Sequence, residues 1–165
     1  MGVVKAVMRE VVVLLAVTSV ACATSGRVAP DARPPCAEQA VIQVGSGQGV
    51  VFPAGRGFVD GYKYGTITEY WTPTEADIGR AEEGLSKYLI NNVPSLAVKF
   101  SSYARQYTGF VYHGRKRLFM NFFCSPPSNW RCEPVGVDDG GDCYFRLEYD
   151  VVSGEYSHLS VNGSA

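Results

Sequence analysis

The sequence predicts an α+β domain in which one main helix packs on a curved antiparallel sheet of four to five strands. Three observations carry this. One capped, amphipathic helical pattern runs through the middle of the chain. The 10 tyrosines and 8 phenylalanines fall mostly after residue 58, in runs that read as half-buried strands. Short turns containing glycine separate those runs. At 165 residues the chain suffices for one domain with a real core.

The domain is taken as residues 41–165. Its first stretch, "VIQVGSGQGVVFPAGRGF", residues 41–58, alternates valines with glycines and reads as a hairpin or loose strand entry. GSGQG lacks both the Lys-Ser/Thr ending of a phosphate-cradling P-loop and the GxGxxG spacing. "GYKYGTITEYW", Gly61 to Trp71, alternates as a strand with Tyr62, Tyr64, Thr66, Thr68 and Tyr70 on one side.

"WTPTEADIGRAEEGLSKYLINN" is the helix. Thr72 reads as its N-cap, Pro73 as its first residue and Glu75 as the partner in a capping box. Ile78, Ala81, Leu85, Tyr88 and Leu89 draw one apolar stripe, Glu82 and Glu83 read as the solvated face, and Pro94 stops the helix after Asn92. Gly79 and Gly84 each cost about 1 kcal/mol relative to alanine, so packing has to hold the helix.

Two long strands follow, roughly residues 98–112 and 116–124, turned at His113 and Gly114. "WRCEPVGV" and "CYFRLEYDVV" read as two more, and "EYSHLSV" as a last one after Ser153 and Gly154. Alternation of Tyr144, Arg146, Glu148 and Asp150 with Phe145, Leu147, Tyr149 and Val151 predicts a sheet covered on one side only. Between the two middle runs lies "DDGGD", Asp138 to Asp142, a hairpin turn by its glycines. A calcium site is the competing reading, but three carboxylates without EF-hand spacing supply too few ligands, so no metal or cofactor is expected.

The first residues carry Lys5 and Arg9, then an apolar run from Val11 to Val17, then small residues: the order of a secretory signal peptide, assigned to 1–21. "SVAC", Ser19 to Cys22, resembles the lipobox of bacterial lipoproteins and implies lipidation of Cys22. Ordinary cleavage after Ala21 or Ala23 is the alternative. In a two-membrane bacterium the resemblance implies an outer-membrane lipoprotein facing periplasm or surface, because Ala23 rather than an aspartate follows the cysteine; without lipid the chain is secreted. Residues 22–40 read as a flexible tether.

Of five cysteines, subtracting Cys22 leaves Cys36, Cys124, Cys132 and Cys143, an even number in an exported chain and hence two disulfides. A simple meander favours Cys124 with Cys132, which flank "SPPSNWR", and Cys36 with Cys143. If the strand holding Cys124 instead neighbours the strand starting at Cys143, those two pair. No zinc spacing is present.

Lys plus Arg number 15 against 16 for Asp plus Glu, which excludes the basic footprint of a nucleic-acid binder. His113 and His158, the only histidines, have no nucleophile in a recognisable setting, and no catalytic set converges. "GRKR", Gly114 to Arg117, reads as a solvated hairpin tip.

A capped helix followed by a meander resembles the cystatin-like and nuclear-transport-factor-like folds. The chain from about Gly57 onward, with "YWTPTEADI", "YARQYTGF", "FMNFFC", "DDGGDCYF" and "LSVNGSA", is similar to small exported bacterial proteins that carry no assigned activity. The QxVxG loop of cystatin inhibitors is missing: "QYTGF" and "QVGSG" both fail it, which counts against a protease inhibitor. The expected function is a non-enzymatic envelope lipoprotein that meets the membrane through Cys22 and binds an unidentified envelope protein or polymer through its aromatic sheet face or its edges. The alternative is a small enzyme with a pocket between helix and sheet. Tyr103, Arg105, Tyr107 and His113, all of one strand parity, form the candidate face.

Overall fold

A computed structural model describes residues 39–59 and 67–163. Contacts divide the chain into two units, Met1–Arg33 and Pro34–Ala165, and every described residue belongs to the second. The signal peptide, Cys22, Cys36 and the tether up to residue 38 lie outside the described residues, as do Tyr62, Tyr64 and Thr66.

The Val-Gly stretch forms a hairpin of β1 (Ala40–Val44) and β2 (Gly47–Val51), its turn opened by Gly45 at φ 59°. β3 (Ile67–Trp71) follows, then α1 (Glu75–Glu83) and α2 (Leu85–Asn92), which together make one helical rod of 18 residues. A one-turn helix α3 (Pro94–Ala97) and a 3₁₀ turn at Phe100–Ser102 lead into β4 (Ala104–Tyr112). The expected strand start at residue 98 is therefore six residues early, because Leu96 and Phe100 roll into the core on these turns. β5 (Arg115–Phe123), β6 (Tyr144–Asp150) and β7 (Tyr156–Val161) complete the chain as an antiparallel meander from β4. His113 and Gly114, at φ 50° and 72°, supply the paired positive dihedrals of a tight hairpin turn.

The expected antiparallel sheet of four to five strands is overturned. Among the described residues one mixed sheet of seven strands has the order β1-β2-β4-β5-β6-β7, with β3 pairing β4 beside that path. Among the described residues strand makes up 39% against 23% helix, so the described part of the domain is mostly sheet. Two things enlarge it. The β1–β2 hairpin joins the sheet, and β2 runs parallel to β4, with Gly49, Val50 and Val51 opposite Arg105, Gln106 and Tyr107. A parallel neighbour needs a crossover, and α1 and α2 lie in the connection. β3 pairs antiparallel with the far half of the same strand, where Gly109 lets the Trp71 backbone and ring approach.

Nor is the sheet covered on one side only. The helix packs Ile78, Ala81, Leu85 and Leu89 against Tyr107, Leu118, Met120, Phe122, Phe145 and Leu147. The opposite face is closed by the segment after β5, where Trp130 and Val135 pack on Val50, Phe52, Ala104 and Phe123. "WRCEPVGV" is thus a lid and not a strand, because its backbone is needed elsewhere. The Gln106 side-chain nitrogen donates to the Trp130 and Glu133 carbonyls, and its oxygen accepts from the Val135 amide. Glu148, read as solvent-facing, is fully buried against Arg117.

Asp138 to Asp142 does turn the chain, with Gly140 and Gly141 at φ 100° and 56°, but it leaves the lid for a 3₁₀ turn before β6 and joins no hairpin. Cys124 and Cys143 form a disulfide, so the pairing of Cys124 with Cys132 falls. β5 and β6 are neighbours in the sheet, which brings the end of one beside the start of the other. Cys132 is disulfide-bonded as well. No helix among the described residues is long and apolar enough to cross a membrane.

Candidate functional site

A cleft of about 360 Å³ opens between β1 and α1, lined by Val41, Ile42, Gln43, Val44, Glu75, Ile78, Gly79 and Glu82. A capping box places its helical wall. Thr74, not Thr72, is the N-cap: its hydroxyl oxygen accepts from the Asp77 amide, and Asp77 accepts from the Thr74 backbone. Thr72 instead accepts a hydrogen bond from the Ala54 amide. Two threonines two residues apart each have an acid three positions on, and tertiary contact decides between them.

Under the cleft sits a buried polar cluster. The Tyr107 hydroxyl donates to Glu82 Oε1 at 2.7 Å, and Arg105 Nε lies 3.3 Å from the same oxygen as an ion pair. Arg105 is 1% exposed; its terminal nitrogens donate to the carbonyls of Val44, Tyr103 and Phe100, and its guanidinium lies over the Phe100 and Phe122 rings. Burial pushes the Glu82 carboxyl above its ordinary value, against the pull of Arg105 and Tyr107. Burial, reinforced by Glu82, drives the Tyr107 phenol well above its usual range, so it stays a donor. No family model matches this chain, and no curated protein or solved structure matches it.

Arg105 and Tyr107 share one face of β4, and Tyr103, just before the strand, packs in the same core under the helical layer: all three are buried. Tyr103 donates to the Asp142 carbonyl. His113 stands apart at the β4–β5 turn, exposed and edge-on to Tyr112, about 20 Å along the strand from Tyr107. The structure therefore brings Arg105 and Tyr107 together and adds Glu82, which the sequence pattern alone assigns to the solvated face. A signal was present: Glu82 is four residues after Ile78 and three before Leu85, on the apolar stripe itself.

A second charged group lies on the lid side. Glu148 Oε2 is 2.8 Å from Arg117 and 3.2 Å from His158 Nδ1, and His158 holds a left-handed φ of 52°. Asp142 of the acidic loop is held by Lys99 at 2.5 Å. Among the described residues no group of three or more metal-ligating side chains converges.

Proposed function

We propose that the chain is an exported cell-envelope lipoprotein, anchored through lipid on Cys22 and related to the small exported proteins its sequence resembles. Its domain is a non-enzymatic binding module for a protein or an envelope polymer. The observation that carries the reading is the contrast between the β1–α1 cleft and the groups beneath it. The cleft lies open along its length, whereas Arg105 and Tyr107 are spent on internal partners, and a side chain locked into a carbonyl cage cannot move protons for a substrate. The Cys124–Cys143 bridge agrees with an oxidising compartment. Cys22→Ala should release the protein from membranes on fractionation, and globomycin should make the precursor accumulate. Normal maturation and soluble wild-type protein would contradict the anchor.

A small enzyme is the second reading, and Glu82 is what favours it: a buried acid with a raised pKa at the floor of a cleft is a candidate general acid or base. Turnover of an envelope substrate lost in Glu82→Gln would replace the first reading with this one.

A further inference from the structure

We propose that the open edge of β1 and its groove with α1 bind an extended segment of a partner protein by strand addition, and that the segment carries a lysine or arginine. This rests on the binding-module reading and narrows it to one surface and one ligand class.

Four consecutive residues of β1, Val41 to Val44, line the cleft. Successive side chains of a strand point to opposite faces, so a cavity over one face meets every second residue. Meeting all four, this cleft runs along the strand's edge, where backbone groups not used by β2 point; of these residues only the Val44 carbonyl has a side-chain partner, Arg105. β1 ends the sheet among the described residues. The edges of the sheet are treated differently: β3, beside the main path, carries Glu69 and a register shift against β4. β7 has a register shift against β6 and a left-handed residue, His158, both of which spoil an edge for pairing. β1 pairs with β2 in unbroken register and contains no proline and no charge, with Val41 49% exposed, so among the described residues nothing guards it.

The opposite wall is one stripe of α1: Glu75, Ile78, Gly79 and Glu82, at steps of three, one and three. Four strand residues span about 13 Å and two helical turns about 11 Å, so the walls match in length. A Cβ on Gly79 would meet no atom within 4 Å, which leaves a gap in the helical wall midway between the two carboxylates. Every second side chain of an added strand would face the helical wall, and one of them would meet that gap. Among the described residues no basic side chain lines the cleft. A long cation suits the gap, its aliphatic stem along Ile78 and its charge toward the exposed Glu75, since Glu82 is already held by Arg105 and Tyr107. A second copy of β1 brings no cation, since its sequence is AVIQV, so the edge calls for a different chain.

The test is fluorescence anisotropy of the oxidised protein with labelled acetyl-Thr-Val-Lys-Val-Thr-amide. Its glutamate counterpart and a form N-methylated at alternate residues serve as controls. The lysine peptide is expected to bind, the glutamate peptide about tenfold more weakly or worse, and the N-methylated peptide not at all. Glu75→Gln should weaken binding. Gly79→Leu should abolish it without lowering the thermal midpoint, because the position is open and helical. Lysine-peptide binding that survives Gly79→Leu would overturn the cleft assignment while leaving the binding-module reading intact. Absence of binding by every peptide would overturn the strand-addition proposal, with sedimentation on purified peptidoglycan then separating a polymer binder from no binder. Self-association in sedimentation velocity that Gly79→Leu removes would make a second copy the occupant and would also overturn it.

Discussion

The Tyr107 hydroxyl donates to Glu82 Oε1 across 2.7 Å and so fastens the centre of β4 to the helix above it. Arg105 lies beside both, and its bonds are unequal in importance to theirs. Arg105→Met strips donors from the Val44, Tyr103 and Phe100 carbonyls and leaves Glu82 without its cation. Removing one partner of a buried pair costs about 3–5 kcal/mol. Tyr107→Phe removes one hydrogen bond and should cost about 1 kcal/mol. Urea unfolding of the two variants checks the order.

The pH dependence separates Glu82 from the other acids. Burial raises its pKa above 4.5, so the folded protein keeps a proton that the unfolded chain has lost. That contribution is complete below 4.5 and is lost as pH rises through the folded value. Asp77 behaves oppositely: burial works against its charge, but the Thr74 hydrogen bonds and Arg80 outweigh it and hold the pKa below 3.8, so its contribution is lost as pH falls. Relative to Glu82→Gln, wild type should lose stability as pH climbs above 4.5; relative to Asp77→Asn, it should lose stability below 3.8. Denaturation midpoints of the three proteins across pH check both signs.

The cap offers a local test. Thr74→Ala removes the hydroxyl that accepts from the Asp77 amide and should cost about 1 kcal/mol. Thr72→Ala loses one exposed bond from Ala54 and should cost less. Thermal midpoints of the pair decide which threonine caps α1.

These residues also show what a single chain of letters can disclose. Local signals survive folding: the apolar stripe from Ile78 to Leu89, the stop at Asn92 and the His113-Gly114 turn all follow from short-range sterics. The parallel pairing of β2 with β4 left no trace, because it joins residues more than fifty positions apart and depends on where the crossover sets them down. The lid reads as a strand for a related reason. Val135 and Val137 have strand propensity, but Gln106 and Asn121, far earlier in the chain, claim the hydrogen bonds a strand would need. Of the site, Arg105 and Tyr107 were legible by strand parity, and Glu82 only by its step from Ile78.

Cysteine mapping extends past the described residues. Cys132 is disulfide-bonded while Cys124 and Cys143 hold each other, and Gln39, three residues after Cys36, donates to the Cys132 carbonyl at 3.1 Å. Non-reducing peptide mass mapping should therefore find Cys36 joined to Cys132 and Cys22 in neither bridge. Cys124→Ser with Cys143→Ser opens a link of sequence separation 19 and should cost about 3 kcal/mol.

The most direct measurement of the central claim is a two-dimensional NMR titration of the labelled protein with the lysine peptide. Amide shifts gathered on Ala40–Val44 and along Glu75–Glu82 are the predicted result. Shifts confined to β7 or to the lid between Cys124 and Cys143, with β1 unmoved, would contradict it.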